Sequence, residues 1–176
     1  HSGIPIIHSA PFKNSHRHIR GVIDLLVRSD FLHIFTGDNP LPENLHKFPA
    51  GKLNKPYHYI VVDVKFSTLP LRADGIHLLN TASYPAYKSQ LWIYTQGIGE
   101  IQGYTSQYAY ILGRRYRYTS KGEKYSSLNC LDKLGTIDYK GVDTEYIERT
   151  ADAITWLREL RKNGRTWKTN PPSRIE

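Results

Sequence analysis

The sequence predicts an α/β fold, in which hydrophobic strands and two long helices form one domain. The run YHYIVVDVKF at residues 57–66 is apolar on both faces until its last residues, which is typical of a central strand covered on both sides. Segments 84–103 and 143–163 combine helix-forming residues with helix start and stop signals. A chain of 176 residues with 39% hydrophobic and 23% charged residues can bury one core of ordinary size.

The first part of the chain predicts a β-hairpin. Residues 4–11 form a short strand, residues 12–17 the turn, and residues 18–29 a second strand. Strict alternation along this second strand places Asp24 as a lone carboxylate among apolar side chains. Gly21 before it allows either a close backbone approach or a bulge.

The central strand carries the most informative charges. Residues 30–56, with four prolines, predict an irregular excursion before it. Alternation then puts Asp63 and Lys65 on one face, while the other face is filled by Ile60, Val62 and Val64. Burying an unpaired charge costs several kcal/mol, so Asp63 and Lys65 require a partner, a metal ion or a catalytic role.

The helices and the later strands complete the predicted domain. Gln90 and Tyr94 are four residues apart on the first helix and therefore share one of its faces. Residues 108–118 predict a strand with a basic end, and residues 135–139 a short strand. Asp143 is the predicted N-cap of the last helix. The buried stripe of that helix is predicted to be Ile147, Ala151, Ile154 and Leu157.

Charge and composition limit the class of partner and compartment. The net charge of +8 and the many tyrosines favour a polyanion such as nucleic acid, although a cationic surface without a partner is also common. The single cysteine, Cys130, excludes an internal disulfide framework and indicates a reducing, intracellular compartment. No apolar run predicts a membrane span. Because the chain starts at His1 and lacks methionine, we expect it to be part of a longer protein with other domains.

Two strand carboxylates beside a lysine suit a metal site made of oxygen ligands. Mg²⁺ or Mn²⁺ would take Asp24, Asp63, the Val64 carbonyl and several waters, while Lys65 orients a water or stabilises the transition state. Three simpler interpretations stay open. Asp24 can accept hydrogen bonds from backbone amides, and Asp63 and Lys65 can form a structural ion pair. The remaining candidates can be ordinary surface residues, namely Gln90 and Tyr94 on the helix and Arg114, Arg115 and Arg117 at the strand end. The sequence contains no phosphate-binding loop, dinucleotide fingerprint, CxxC, HExxH or GxSxG motif.

The order of these motifs resembles the PD-(D/E)xK nuclease superfamily, and within it the RecB-like branch that includes exonuclease V. The resemblance rests on Gly21-x-x-Asp24, on Asp63-x-Lys65 at the end of a hydrophobic strand, and on Gln90-x-x-x-Tyr94 on the next helix. It covers about residues 18 to 118.

The resemblance implies a central mixed β-sheet flanked by helices, a restriction-endonuclease-like core. Asp24 and Asp63 would be metal ligands, Lys65 the catalytic lysine, and Gln90 a residue that holds the lysine and the DNA backbone. The residues expected to contact nucleic acid are Tyr94, Arg72, Lys88, Arg114 and Arg115.

The sequence departs from the family pattern in two places. The family usually has a helix before the first strand that carries a glutamate or histidine, whereas this sequence begins almost at that strand, and His8, His16 or His18 could contribute the ligand instead. A single cysteine rules out a four-cysteine iron–sulfur cluster within this segment.

The expected function is that of a Mg²⁺- or Mn²⁺-dependent deoxyribonuclease acting in DNA repair, recombination or replication processing. The resemblance suggests an exonuclease, but the sequence leaves exonuclease and endonuclease action open. A structure-specific endonuclease and a non-catalytic nucleic-acid-binding module on a degenerate nuclease fold are the alternatives. Residues 1–164 would form the nuclease-like domain and residues 165–176 a basic tail or linker.

Overall fold

The structure, a computed structural model, describes residues 3–15 and 18–168. It has an α/β architecture with a six-stranded mixed sheet flanked by helices, which confirms the predicted fold class. The elements in chain order are β1 (Ile6–Asn14), β2 (Ile19–Arg28), α1 (His33–Thr36), α2 (Glu43–His46), β3 (Tyr59–Pro70), α3 (Tyr84–Gln102), β4 (Tyr108–Ser120), β5 (Glu123–Ser127), β6 (Gly135–Asp138) and α4 (Glu145–Asn163). A 3₁₀ turn, Gly164–Thr166, follows α4.

The sheet order is β1-β2-β3-β4-β5, and β6 pairs with the first half of β4. The neighbours β1, β2 and β3 are antiparallel, whereas β3 and β4 are parallel. A parallel pair needs a crossover connection, and α3 supplies it. Helix α3 therefore lies across one face of the sheet and passes over the central strands.

The central strand β3 is buried on both faces over its first half, as predicted. Val61 packs in the cluster under α3, while Ile60 and Val62 pack in a second cluster with side chains from the excursion at residues 29–56. The prediction for Val64 was wrong, because this side chain is 47% exposed and the next outward residue, Phe66, is 85% exposed. The second cluster contains Ile60 and Val62 but ends before these two residues.

The hairpin turn lies later than predicted. Strand β1 continues to Asn14, so Phe12 and Lys13 are strand residues instead of turn residues. Phe12 is buried because its ring packs edge-on against Tyr94 of α3, with 5.5 Å between ring centroids. Gly97 of α3 makes room for this contact, since a Cβ there would lie 2.6 Å from the Phe12 ring.

Strand β2 does not alternate strictly, contrary to the prediction. Ile23 and Leu26 both belong to the cluster under α3, while Leu25 packs on the opposite cluster. The irregularity is centred at Asp24, which lies across from Ser9 of β1, a residue with a φ of 50°. A positive φ interrupts the extended backbone, so both strands bend at this point.

Helix α4 has fully buried side chains only in its first turns. Its buried residues are Tyr146 and Thr150, and the predicted stripe is wrong because Leu157 is 50% exposed and only Ile154 of the four is partly buried. Asp143 is not its N-cap either, since that position is Thr144 and no side chain caps the helix. In the first turn of α4 the Tyr146 ring contacts Lys88 of α3, and the side chains of the second half are mostly exposed.

Asp143 instead forms a buried ion pair with Lys88 of α3. The Lys88 ammonium donates to Asp143 Oδ1 at 2.6 Å, to Asn80 Oδ1 at 2.6 Å and to the Leu78 carbonyl at 2.8 Å. Burial lowers the pKa of Lys88, and Asp143 opposes this shift. Lys88 is 0% exposed, so the prediction that it contacts nucleic acid was wrong.

Among the helices of the described segments, none is both long and apolar enough to cross a membrane. The tail that was predicted to begin at residue 165 lies mostly outside the described residues. The part that is seen includes Trp167, whose ring lies 6.1 Å from that of Trp156 on α4.

We predict that Lys88→Ala lowers the free energy of unfolding by about 3–5 kcal/mol, because it leaves Asp143 as a buried charge without its ammonium partner. Urea unfolding followed by tryptophan fluorescence measures the change. Lys140→Ala, at an exposed lysine, is the control and should change stability by less than about 0.5 kcal/mol. A Lys88→Ala variant as stable as the control would show that this ion pair does not hold α3 against α4.

Candidate active site

The candidate site lies where strands β2 and β3 separate. Their hydrogen-bonded register ends at the pair Leu25 and Val62, so the next opposed residues are Asp24 and Asp63. Beyond this point, the Val64 N–H donates to Asp24 Oδ2 at 2.9 Å. The Asp24 side chain thus replaces a strand partner and lies in the gap beside Asp63. This contact is a hydrogen bond from a backbone amide to Asp24, as the simpler interpretation of Asp24 predicted.

Asp63 is a buried carboxylate, with 2% of the residue exposed. Burial raises the pKa of Asp63, the nearby Asp24 carboxylate raises it further, and Lys65 opposes both effects. The Lys65 ammonium lies 2.7 Å from Asp63 Oδ2, but no aligned hydrogen bond reaches that buried oxygen. The two carboxylates, Asp24 and Asp63, therefore carry more negative charge than the one ammonium of Lys65 compensates.

Lys65 is held between Asp63 and an aromatic ring. Its ammonium lies 4.7 Å from the centre of the Tyr87 ring on α3, in a cation–π contact. The start of α3 is fixed to the end of β3, because the Tyr84 hydroxyl donates to the Thr68 carbonyl at 2.8 Å. Sequence reasoning missed Tyr87, although its spacing of three and seven residues from Gln90 and Tyr94 was a usable signal.

Gln90 and Tyr94 share one face of α3, as their spacing predicts, and Gln90 Nε2 donates to the Tyr94 hydroxyl at 3.1 Å. The Tyr94 ring packs over Gly21 of β2, where a Cβ would lie 2.9 Å from a ring carbon. Tyr87 contacts β3 and Tyr94 contacts β2. Gln90 lies between them on the same helical face, so it lies over the gap between the two strands.

The oxygen atoms of Asp24, Asp63 and the Val64 carbonyl are the possible metal ligands of the site. Within residues 3–15 and 18–168, no group of three or more His, Cys, Asp or Glu side chains could hold a metal. Asp24 and Asp63 nevertheless face one gap, and the Val64 carbonyl is directed there because the N–H and C=O of a strand residue point to the same side. Mg²⁺ is commonly bound by one or two carboxylates and several waters, so these residues fit it.

The histidines do not extend this donor set. His8 and His18 belong to no metal-binding group, and His16 lies outside the described residues.

The other predicted nucleic-acid contacts lie in different places. Arg115 of β4 donates to Thr68 Oγ1 at 2.8 Å. Arg114 lies 5.0 Å over the ring of Phe66, which follows Lys65 in β3 and points to the opposite face of the sheet. Arg72 lies 3.9 Å from Asp143 Oδ1 and donates to the Val142 carbonyl, so it supports the buried ion pair. Of the five residues, only Tyr94 makes a described contact with a candidate-site side chain, the hydrogen bond from Gln90.

Comparison with models of known protein families finds no match. Comparison with curated proteins finds no match either. Functional inference for this chain therefore depends on the geometry of Asp24, Asp63, Lys65 and Gln90.

We predict that Asp63→Asn stabilises the protein at pH 7 in EDTA by about 1 kcal/mol, as substitutions at functional sites often do. The folded-state pKa of Asp63 is raised, so stability falls as pH rises from about 4 through that folded value, and the amide removes this cost. Urea midpoints at pH 4 and pH 7 test the sign.

Asp74→Asn is the matched control, because hydrogen bonds from His77 and from two backbone amides lower the pKa of Asp74. This substitution should destabilise the protein at pH 7. Destabilisation by both substitutions would contradict the electrostatic description of Asp63.

Proposed function

We propose that this chain is a metal-dependent nuclease domain that hydrolyses phosphodiester bonds, with DNA as its substrate. The observation that carries the proposal is the pair Asp24 and Asp63 in the gap between β2 and β3, with Lys65 at 2.7 Å from Asp63 Oδ2. Two carboxylates whose negative charge is incompletely compensated, beside a lysine, are the groups that phosphoryl hydrolysis needs.

Asp24, Asp63 and the Val64 carbonyl are the residues that would hold Mg²⁺ or Mn²⁺. When bound, such an ion supplies positive charge against the phosphate and lowers the pKa of water. Divalent charge would also relieve the repulsion through which Asp24 raises the pKa of Asp63.

Lys65 has the position of a catalytic lysine. Its side chain is 22% exposed, so its ammonium reaches both buried Asp63 and solvent at the mouth of the gap. From there it can donate a hydrogen bond to the attacking water or to a phosphate oxygen as negative charge develops. Tyr87 limits its rotation on one side, and Gln90, above the gap, can donate an amide hydrogen bond to the substrate backbone.

The polymer substrate is supported by charge. A net charge of +8 favours a polyanion, and the resemblance to RecB-like nucleases favours DNA over RNA. We assign the domain to DNA repair, recombination or replication processing, within a longer protein in a reducing intracellular compartment. Cys130 is a free thiol, which is compatible with that compartment.

One observation favours the second candidate, a non-catalytic nucleic-acid-binding module. Asp24 accepts the Val64 N–H and Asp63 pairs with Lys65, so each carboxylate has a partner within the chain. A degenerate site of this kind would keep its ion pair for packing and bind divalent metal poorly.

Cleavage of end-labelled single- and double-stranded DNA with Mn²⁺, Mg²⁺ or EDTA tests the proposal. We expect metal-dependent cleavage that falls at least about 100-fold in Asp63→Ala and in Lys65→Ala, because each removes a group that stabilises charge in the transition state. Asp152→Ala removes an exposed carboxylate of α4 and should leave cleavage unchanged. Normal cleavage by either site variant would overturn the proposal.

Two further readings separate the alternatives. Absence of cleavage, together with DNA binding but no Mn²⁺ binding by calorimetry, would establish the non-catalytic module. If cleavage occurs, a substrate with both ends blocked distinguishes an endonuclease, which cuts it, from an exonuclease, which does not.

Tyr87→Leu is predicted to lower the cleavage rate by about two- to fivefold, because the cation–π contact that restrains Lys65 is worth about 0.5–1 kcal/mol. Tyr87→Phe retains the ring and should cleave at the normal rate. Single-turnover rates with saturating substrate measure both variants. Equal rates for the Leu and Phe variants would show that the ring does not position the lysine.

A further inference from the structure

A groove of about 1090 Å³ lies beside the candidate site. It is bounded by the end of the β1–β2 hairpin, by the middle of α3 and by the second half of α4. Nothing in the catalytic proposal uses this groove, and the carboxylates of the candidate site do not line it.

The charged side chains of the groove all have one sign. None of the described residues that line it is acidic, and its basic residues are Lys13, His18, Arg20, Arg158, Arg161 and Lys162. Glu100 accepts a hydrogen bond from the lining residue Asn14. Lys13 and Arg20 are direct partners across β1 and β2, an arrangement that destabilises a sheet unless an anion lies nearby.

The floor of the groove is aliphatic. It contains Ile19 of β2, Ile93 of α3, and Ile154 and Leu157 of α4. Leu157 is 50% exposed although it belongs to the apolar stripe of its helix. A ligand with both anionic groups and apolar faces would cover this floor and neutralise its rim.

Strand β2 joins the groove to the candidate site. Arg20 lies four residues before Asp24, which corresponds to about 13 Å of extended strand. This distance is a few nucleotide steps. A nucleic acid strand of a few nucleotides is therefore long enough to reach from the two carboxylates to the groove.

We propose that the groove binds a single-stranded stretch of the nucleic acid that is cut at the candidate site, and this inference rests on the proposed nuclease function. The phosphates would contact the basic side chains, and the unpaired bases would lie on the aliphatic floor. A duplex turns its base faces inward and presents mainly phosphate and sugar, so it leaves such a floor uncovered. Proteins that bind single strands combine a positively charged groove with aromatic side chains on which the bases stack, and in this groove aliphatic side chains would take that place.

Charge reversal on α4 tests the groove without testing catalysis. Binding of fluorescein-labelled 20-nucleotide single strands and of the matching duplex is measured by anisotropy in EDTA, over a series of salt concentrations. For Arg161→Glu/Lys162→Glu we expect at least tenfold weaker single-strand binding. The slope of log K against log salt should shrink by about 1.4, because two phosphate contacts are lost.

The double variant Lys124→Glu/Lys140→Glu is the control, because it makes the same change in net charge at two exposed lysines outside the groove. It should weaken binding by less than about twofold, because charges outside the groove act on the nucleic acid only over long distances and salt screens that interaction. Circular dichroism checks that both variants fold. Equal losses in the two variants would overturn the groove as the binding surface.

Leu157→Ser tests the floor. Because this side chain is already half exposed, we expect little change in stability, together with about threefold weaker single-strand binding and unchanged duplex binding. Equal weakening of both ligands would contradict the single-stranded assignment.

The outcomes separate this inference from the nuclease proposal. Groove-dependent binding without cleavage in Mn²⁺ would support the groove and reject the nuclease function. Cleavage in Mn²⁺, together with single-strand binding that Arg161→Glu/Lys162→Glu does not weaken, would support the nuclease function and reject the groove. Retention of poly-glutamate by the native chain, lost in this variant while DNA binding persists, would assign the groove to an acidic peptide and overturn the inference.

Discussion

The buried charge of Asp63 is the constraint on which the site depends. Its carboxylate lies in the buried first half of β3, where desolvation raises its pKa. Lys65 compensates this charge only in part, and Asp24 adds to it. Because β2 bends at Asp24 and its ladder with β3 stops at Leu25, the two carboxylates share a gap that regular pairing would have closed.

Within the described segments, two lysines pair with buried aspartates, and their surroundings give them different roles. The Lys88 ammonium is 0% exposed and donates to three oxygens, so its pair with Asp143 is closed and serves packing. Lys65 is 22% exposed and leaves a buried Asp63 oxygen without an aligned hydrogen bond. An open pair with unused acceptor capacity can take a ligand, whereas a closed pair cannot. Helix α3 connects the two, since one of its faces covers the gap and Lys88 on another anchors it to α4.

The sequence predicted what depends on local pattern. The buried first half of β3, the helix at residues 84–102 and the shared face of Gln90 and Tyr94 all follow from residue spacing. The bend in β2 could not be predicted in this way, because it depends on the positive φ of Ser9, which lies on the other strand of the hairpin. Lys88 was assigned to the surface because a lysine is seldom buried, and only the fold brings Asp143, 55 residues away, next to it. Asp143 was taken as a helix cap because its partner Lys88 is equally distant in the sequence.

The wrong prediction for α4 has a physical basis that bears on function. Periodicity identifies an apolar stripe correctly but does not say what covers it. In this chain the first turns of α4 meet α3 through Tyr146 and Thr150, while Ile154 and Leu157 face the groove beside basic side chains. Leaving Leu157 half exposed costs stability that burial would supply. That cost is explained if the stripe contacts a ligand, and the basic side chains around it select an anionic one.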